Sequence, residues 1–391
     1  MRISSRLSAI QPSATLALNA KAAELRAQGR DIISLAVGEP DFHPPAAVLK
    51  AAHEAVDGGF HRYTPAAGMP DLLEAVAGYF STCYHINAGR DMAMVTNGGK
   101  QALYNLFQTL LDDGDEVLIP SPYWLSYPDM VRLAGGVPRT VPTQPEESFK
   151  ITPESLEQAR GEQTRLLIIN TPSNPTGCHY TQRQLDDIVA WAVERGLFVI
   201  SDEIYDQLVY PPAERSSACG WLARAPEQIA VVNGLSKSLA MTGWRIGYIL
   251  GHPELITNLS KLQGQSTSNV CSIAQMAALK ALRMSWDFLE EQRGILAGRR
   301  DMALQAVSSW KGVQCPKPDG AFYLFPRVDA LYTASLPDSR ALSAHLLEEA
   351  GVALMPGSVF GDDRCLRLSY ALDDESLRRA LDRVGEVLER L

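Results

Sequence analysis

Apolar residues along the chain form short continuous runs that alternate with longer segments of helical periodicity. Runs such as 166–169 and 197–200 are apolar at every position, without the polar alternation of a strand that has one face in solvent. Such strands are typical of a mostly parallel sheet covered by helices on both faces, so we predict an α/β protein. The predicted strands are 32–37, 92–95, 116–119, 137–141, 166–170, 197–201, 229–232 and 246–250, and the predicted helices are 13–29, 45–57, 69–82, 100–111, 123–134, 153–160, 181–195, 253–263 and 271–283.

The C-terminal part of the chain has a different pattern. A long helix predicted over 285–309 precedes a segment in which strands and helices are mixed, and this mixture indicates a smaller α+β domain. We place the large domain at 45–285 and the small domain at 1–44 together with 286–391. The predicted elements of the last segment are strands at 321–325, 352–355 and 365–369 and helices at 338–350 and 374–390.

Composition and charge exclude several classes of function. The chain has 391 residues, of which 46% are apolar and 21% charged, as in ordinary globular proteins. A net charge of −9 argues against broad binding to nucleic acids or membrane surfaces. The sequence has no membrane-length apolar run and no apolar signal core, so we expect a cytoplasmic protein. The cysteines and histidines form no Cys-x-x-Cys or His-x-x-x-His pair, so we expect no metal site.

Lys237 lies in an unusual setting for a lysine. It follows the buried strand predicted at 229–232, is flanked by two serines, and has no acidic residue near it between positions 230 and 251. A second cation, Arg245, follows eight positions later. Burial and a like charge disfavour the ammonium form, so Lys237 is available as a neutral amine nucleophile. A surface lysine on a serine-rich loop is the alternative that the residues alone leave open.

Five further motifs follow or occupy predicted strands, and ligands usually bind at the carboxyl ends of strands in such sheets. A Gly-Gly turn before a helix brings backbone amides towards an anion, a tryptophan suits a flat ring, and an arginine between leucines suits a carboxylate. Each also has a simpler interpretation: a tight turn, a core tryptophan, an Asx turn, a helix cap or metal ligand, and a surface charge. The motifs are Thr96-Asn-Gly-Gly-Lys100, Ser121-Pro-Tyr-Trp-Leu-Ser-Tyr127, Asn170-Thr-Pro-Ser-Asn-Pro-Thr-Gly177, Ser201-Asp-Glu-Ile-Tyr205 and Cys365-Leu-Arg-Leu-Ser-Tyr-Ala371.

Together these motifs resemble those of the pyridoxal-phosphate-dependent aminotransferases of class I and II. The resemblance extends from Pro12-Ser-Ala-Thr15 to Ala371 and is closest to the bacterial-type aspartate (aspartate/prephenate) aminotransferase subgroup. It implies the fold of type I pyridoxal-phosphate-dependent transferases, with a large domain whose mostly parallel sheet is flanked by helices and a smaller α+β domain. It also implies pyridoxal 5′-phosphate as cofactor, small-molecule substrates that are amino acids and 2-oxo acids, and a homodimer.

The resemblance assigns a role to each motif residue. Lys237 would form a Schiff base with the cofactor and shuttle the α-proton, Asp202 would keep the pyridine nitrogen protonated, and Tyr205 would hydrogen-bond the phenolic oxygen. The residues implied for the cofactor phosphate are Gly98, Gly99, Lys100, Ser236, Arg245 and, across a dimer interface, Tyr63. Those implied for the ring or the substrate α-carboxylate are Trp124, which would stack on the ring, and Asn174, Arg367 and Gly38.

Substrate choice depends on two weaker assignments. Lys100 has no acidic neighbour from Val95 to Phe107, so it is our candidate for the distal carboxylate of aspartate or glutamate; the alternative is that it only completes the phosphate site. Gln11 is a candidate partner for the ring hydroxyl of prephenate. We therefore expect a transaminase of acidic L-amino acids. The alternatives are an aminotransferase that is specific for prephenate or that is broad or aromatic in its substrates, a C–S β-lyase, and a regulator on the same fold. Such a regulator would need a DNA-binding segment, which we do not find before residue 13.

Overall fold

A seven-stranded sheet forms the centre of the larger part of the molecule. The computed structural model describes residues 3–10, 12 and 14–391, and the order of the sheet is β2-β8-β7-β6-β5-β3-β4. Strand β8 is antiparallel to both of its neighbours, and every other pair is parallel, so the predicted mostly parallel sheet is confirmed. The strands of the described residues are β1 (Ile33–Ser34), β2 (Ala93–Asn97), β3 (Glu116–Ser121), β4 (Val137–Pro142), β5 (Thr164–Asn170), β6 (Phe198–Asp202), β7 (Ile229–Gly234), β8 (Ile246–Gly251), β9 (Tyr323–Leu324), β10 (Val352–Ala353), β11 (Met355–Pro356) and β12 (Leu366–Ser369).

Helices cover both faces of this sheet, which explains why its central strands are apolar throughout. Every residue of β7 and β8 is buried, as expected for strands with a helical layer on each side. The α-helices of the described residues are α1 (Ala14–Ala27), α2 (Ala46–Asp57), α3 (Pro70–Tyr84), α4 (Gly99–Leu110), α5 (Tyr127–Leu133), α6 (Pro153–Ala159), α7 (Gln182–Glu194), α8 (Pro253–Ser266), α9 (Ser272–Arg283), α10 (Phe288–Ser309), α11 (Ser339–Glu349) and α12 (Asp374–Leu388). None of these helices is long and apolar enough to cross a membrane.

The topology brings the predicted motifs to one edge of the sheet. The carboxyl ends of β5 and β6 are adjacent, because Asn170 pairs with Asp202 in parallel register. Strand β7 continues the same edge beside β6, and β2 runs in the same direction, since both β2 and β7 are antiparallel to β8. The motifs that follow these strands are therefore neighbours in space although they are far apart in the sequence.

The C-terminal elements and the N-terminal segment form a second apolar core. The long helix α10 packs on α12, and β9 and β11 flank β12 in an antiparallel sheet. Strand β1 joins this part by pairing in parallel with β10. Ile33 and Leu35 are buried in the same cluster as residues of α10, α11 and α12. The division at 44/45 and 285/286 stays a prediction.

Four predicted elements differ clearly from those observed. The strand predicted at 321–325 is paired only over Tyr323–Leu324. Helix α5 begins only at Tyr127, because residues 122–126 form a turn in which the Tyr123 amide bonds the Phe360 carbonyl. The strand predicted at 32–37 is paired only over Ile33–Ser34, and the chain beyond it turns towards Arg367, which bonds the Ala36 carbonyl. The strand predicted at 352–355 is divided between two sheets, since β10 pairs with β1 and β11 with β12.

Candidate active site

Most of the predicted site residues line one pocket at the carboxyl-end edge of the sheet. Its volume is about 530 Å³, and the beginning of α1 closes one side of it through Thr15, Leu16 and Asn19. A larger groove of about 910 Å³ between α3 and α10 contains none of the predicted site residues. The predicted residues that line the smaller pocket are Gly38, Gly99, Lys100, Trp124, Asn174, Asp202, Tyr205, Ser236, Lys237, Arg245 and Arg367.

Lys237 extends into this pocket and donates a hydrogen bond of 2.7 Å to the Gly38 carbonyl. Burial is the main cause that lowers the pKa of Lys237 to about 8; the charges of Arg367 and Arg245 act in the same direction, and those of Glu39 and Asp202 oppose it. The lowered pKa that the sequence predicted is therefore present. Glu39 and Asp202 come from distant parts of the chain, so the segment 230–251 around Lys237 did not indicate that carboxylates lie near it.

Asp202 is the last residue of β6, and its side chain is buried. Tyr127 donates a 2.7 Å hydrogen bond to its Oδ2 atom, and the Ile204 amide donates one of 3.2 Å to Oδ1. Burial raises the pKa of Asp202 to about 6, although these two donors and the charge of Lys237 oppose that rise. A buried carboxylate in this state is stabilised by any cationic ring nitrogen placed against it.

Tyr205 follows β6 and is buried beside the same pocket. Its hydroxyl lies 2.8 Å from the hydroxyl of Tyr323, on β9. Burial is the main cause that raises the pKa of Tyr205 well above its ordinary value, so the phenol is a hydrogen-bond donor at neutral pH.

Arg367, on β12, is a buried cation rather than the surface charge that was the alternative. It is 3% exposed, and its guanidinium lies between the rings of Tyr323 and Phe360, 4.7 and 4.9 Å from their centroids. Its Nη1 donates to Asn174 Oδ1 at 3.0 Å. Within the described part of the chain Arg367 has no acidic partner, and its Nε atom has no acceptor. A buried guanidinium with a spare donor fits a carboxylate ligand.

The turn between β2 and α4 meets Arg245. Gly98 has a φ of +81°, which favours glycine, and the Arg245 guanidinium lies against it. A Cβ atom at Gly247 would lie 2.4 Å from the carbonyl carbon of Gly98, so this position requires glycine. The first amides of α4 have no intrahelical acceptor, and they point out of the helix beside this guanidinium. Helix amides and a cation together make an anion site.

Lys100 and Trp124 both line the pocket and are in contact with each other. The Lys100 ammonium is 5.0 Å from the centroid of the Trp124 ring, which itself packs edge to face on Tyr127. Burial and the charge of Arg245 lower the pKa of Lys100. Among the described residues Lys100 forms no ion pair, so its charge is available to a ligand.

Three of the predicted residues lie elsewhere. Gly98 supports the turn without lining the pocket, and Tyr63 is 89% exposed and does not line it within this chain. Gln11 lies outside the described residues.

Three residues that act on the site were not predicted from the sequence. Tyr127 donates a hydrogen bond to Asp202, and Tyr323 shares one with Tyr205. Glu39 is the charged residue that acts most strongly on the pKa of Lys237. Tyr127 is the last residue of the motif at 121–127, but helical spacing does not predict which residue its hydroxyl contacts. Tyr323 and Glu39 follow only from the pairing of β9 with β12 and from the path of the chain after β1.

The chain matches a known protein family over most of its length. Residues 30–384 match the family model of aminotransferase class I and II. The chain belongs to this family, and the predicted membership is confirmed.

Relatives and solved structures agree with that assignment along the whole chain. An aspartate aminotransferase of Streptomyces avermitilis is 44% identical, covering 99% of this chain and 96% of its own. An aspartate/prephenate aminotransferase of Thermus thermophilus is 44% identical, covering 99% of each. The structure of Thermus thermophilus aspartate aminotransferase with maleate superimposes with a TM-score of 0.93 at 44% identity, over 99% of this chain and 100% of that one. The predicted fold of type I pyridoxal-phosphate-dependent transferases is confirmed.

Proposed function

We propose that this aminotransferase moves the α-amino group between an acidic L-amino acid, aspartate or glutamate, and a 2-oxo acid, with pyridoxal 5′-phosphate as its cofactor. One observation carries the proposal. A lysine whose pKa is lowered to about 8 shares a pocket with a buried carboxylate, Asp202, and with two cations that have no acidic partner in the described chain, Lys100 and Arg367.

The residues present fit that cofactor. Its phosphate suits the first amides of α4 together with Ser236 and Arg245, and Trp124 offers a flat face to its ring. Its ring nitrogen suits Asp202, its phenolic oxygen suits Tyr205 and Asn174, and Lys237 would hold it covalently. When bound, the cofactor supplies an electron sink for the substrate α-carbon.

Arg367, Lys237 and helix α1 would act on the substrate itself. Arg367 binds the substrate α-carboxylate. The rings of Tyr323 and Phe360 on either side of its guanidinium keep the N–H donors in one orientation. Lys237 Nζ, in its neutral form, would accept the proton from the substrate α-carbon and would then donate it to the 4′ carbon of the cofactor; accepting the proton requires the lowered pKa that burial gives this amine. The residues of α1 that line one side of the pocket would limit the access of water to the reacting atoms.

The preference for acidic substrates rests on Lys100. Aspartate carries a second carboxylate, and Lys100 is a cation on the pocket wall with no acidic partner in the described chain. The Thermus thermophilus structure is that of the enzyme with maleate, which is likewise a dicarboxylate.

Prephenate is a second candidate substrate. Relatives from Aquifex aeolicus and Thermus thermophilus bear the name aspartate/prephenate aminotransferase, the former with the qualifier "probable". Prephenate also has a distal carboxylate, so Lys100 suits it equally. A panel of donors and acceptors that includes prephenate separates the two activities.

A homodimer forms part of the proposal. A groove of about 670 Å³, lined by Phe42, Leu49 and Trp244, adjoins the active-site pocket, because Arg245 lines both. Phe60 and Tyr63 are exposed on the chain that follows α2. A second copy that covers this face would bring its own Tyr63 towards the phosphate site, as the family resemblance implies.

The substitution Lys237→Ala tests the chemistry. We expect amino transfer from aspartate to 2-oxoglutarate to fall by roughly 10³-fold or more, with loss of the visible absorption of the bound cofactor, because both depend on this amine. Lys150→Ala is the matched control, since the Lys150 ammonium lies 5.9 Å from the centroid of the Tyr180 ring, much as that of Lys237 lies 6.0 Å from the centroid of the Tyr205 ring, but Lys150 is outside the pocket. Retention of both signals in Lys237→Ala contradicts the proposal. Release of ammonia from a cysteine conjugate without dependence on a 2-oxo acid would instead indicate a β-lyase.

A further inference from the structure

We infer that Tyr323 is a positioning residue that ties the substrate-carboxylate arginine, Arg367, to the cofactor-side phenol, Tyr205. The inference rests on the proposed function and assigns a role to a residue that none of the motifs includes. Tyr323 would act through its hydroxyl on one neighbour and through its ring on the other.

The strand pairing places Tyr323 between these two groups. Tyr323 is opposite Ser369 in the antiparallel pair of β9 and β12. Arg367 is two residues before Ser369 on the same strand, so its side chain leaves the sheet on the same face as that of Tyr323. The Arg367 guanidinium lies 4.7 Å from the centre of the Tyr323 ring. A cation over an aromatic ring is stabilised by the ring's negative face.

The hydroxyl of Tyr323 contacts the second of the two groups, Tyr205. It lies 2.8 Å from the Tyr205 hydroxyl, and both phenols are buried. A Cβ atom at Gly38 would lie only 2.7 Å from the same hydroxyl oxygen, so the chain after β1 passes close to it. The Gly38 carbonyl in turn accepts the hydrogen bond of Lys237. The Tyr323 hydroxyl therefore contacts Tyr205 directly and lies beside Gly38, whose carbonyl accepts the hydrogen bond of Lys237.

The direction of the hydrogen bond between the phenols follows from what Tyr205 faces. When Tyr205 donates its proton to an anionic phenolic oxygen of the cofactor, its own oxygen is free only as an acceptor, so Tyr323 must be the donor. A chain of two donors is polarised, and each bond strengthens the next. Tyr323 therefore makes Tyr205 a stronger donor and stabilises negative charge on the oxygen that Tyr205 contacts.

The substitution Tyr323→Phe removes the hydroxyl and keeps the ring over Arg367. We expect the pH midpoint of the visible absorption change of the bound cofactor to rise by roughly 0.5 pH unit. The reason is that the phenolic oxygen of the cofactor, as an anion, loses part of its stabilisation, so the proton on the nitrogen that joins Lys237 to the cofactor is lost only at higher pH. KM for aspartate should change by less than about twofold, because the guanidinium keeps its aromatic neighbours. The measurement is a spectrophotometric titration of the holoenzyme, followed by steady-state kinetics.

Tyr323→Leu removes the ring as well as the hydroxyl. We expect the same rise in midpoint together with a KM increase of roughly three- to tenfold, of similar size for aspartate and for alanine, because both present the α-carboxylate that Arg367 binds. Tyr248→Phe is the matched control: Tyr248 is a buried tyrosine whose hydroxyl has no hydrogen-bond partner within the described residues. The control should leave both the midpoint and KM unchanged.

The outcomes separate this inference from the proposed function. If wild-type protein shows no visible band from bound pyridoxal 5′-phosphate, the proposed function fails. If the band is present but does not change with pH, the inference is wrong. If the wild-type band titrates but Tyr323→Phe leaves its midpoint unchanged or lowers it, the hydroxyl does not support Tyr205 and the inference is wrong. If Tyr248→Phe moves the midpoint by the same amount, the effect reports general loss of packing and the inference is equally wrong.

Discussion

Single residues at this site have chemical properties that depend on neighbours from other parts of the chain. Lys237 has no carboxylate near it in sequence, yet it faces Glu39 and Asp202 in the fold. Burial still outweighs these two charges and lowers the pKa of Lys237 to about 8. The amine is therefore neutral over a pH range in which an ordinary lysine is charged.

The reactivity of Lys237 in the cofactor-free protein should follow this lowered pKa. A lysine whose pKa is depressed gains its neutral, nucleophilic form as pH rises through the folded-state value, here about 8 rather than about 10.4. We expect the rate of acetylation by trace acetic anhydride, measured on the Lys237 peptide by mass spectrometry, to be half-maximal near pH 8. A midpoint near the ordinary lysine value would show that burial does not control this amine.

The distal-carboxylate assignment of Lys100 is tested by Lys100→Met. This change should lower kcat/KM for aspartate by about 10- to 100-fold, because only a dicarboxylic substrate loses a charged partner, and alanine should be affected far less. Lys150→Met is a matched control, since Lys150 also lies over an aromatic ring. Equal losses for aspartate and alanine would place Lys100 on the phosphate instead.

Secondary-structure elements position the site by close backbone contact. Strand β8 passes directly behind the turn that joins β2 to α4, and Gly247 and Gly98 are in contact there. The antiparallel strand of the sheet thus fixes the place of the helix amides that suit a phosphate. A side chain at Gly247 would move that turn.

We therefore expect Gly247→Ala to weaken cofactor binding by at least about tenfold and to lower stability by roughly 1–3 kcal/mol, as overpacking does. Cofactor titration by fluorescence and urea unfolding measure the two effects. Gly78→Ala in α3 is the control, because a Cβ there meets nothing within 4 Å, and it should leave binding unchanged and stabilise the helix slightly. Unaltered cofactor affinity in Gly247→Ala would mean that the turn adapts.

Elements and motifs were predictable where the sequence carries a local signal. The apolar strands β5, β6 and β7 and the turns that follow them were identified because continuous apolar runs and strand-end glycines are local features. The path of 36–38 towards Lys237 depends on a partner of Ala36 that is 331 residues away, and the division of 352–355 depends on two different sheets. The hydroxyl contacts of Tyr127 and Tyr323 could not be predicted either, because their partners are also distant in the sequence.

At the scale of the whole molecule, the site is bordered by an exposed apolar face. Tyr63 is 89% exposed, and the groove lined by Phe42, Leu49 and Trp244 shares Arg245 with the pocket. A two-fold interface over this face would be of the commonest kind among homo-oligomers. Each site would then require residues from both copies.

Subunit mixing tests this shared site. If Tyr63 acts on the neighbouring copy, a heterodimer of Lys237→Ala and Tyr63→Ala subunits contains one intact site and one doubly altered site. We expect equal mixtures, after subunit exchange, to regain about a quarter of wild-type activity although each parent is impaired. Activity no higher than the mean of the parents would assign Tyr63 to its own subunit. A fully active monomer of 42.7 kDa in light scattering would exclude the shared site altogether.

The contact between Gly38 and Tyr323 has a genetic consequence. Gly38→Ala should be a loss-of-function allele, because its methyl group would lie 2.7 Å from the Tyr323 hydroxyl. Tyr323→Phe deletes that oxygen, and the next ring atom, Cζ, would be 3.6 Å away, which is an ordinary contact. Under selection for amino transfer, revertants of Gly38→Ala should therefore be enriched in Tyr323→Phe, so that two positions 285 apart in the chain (323 − 38) vary as a pair.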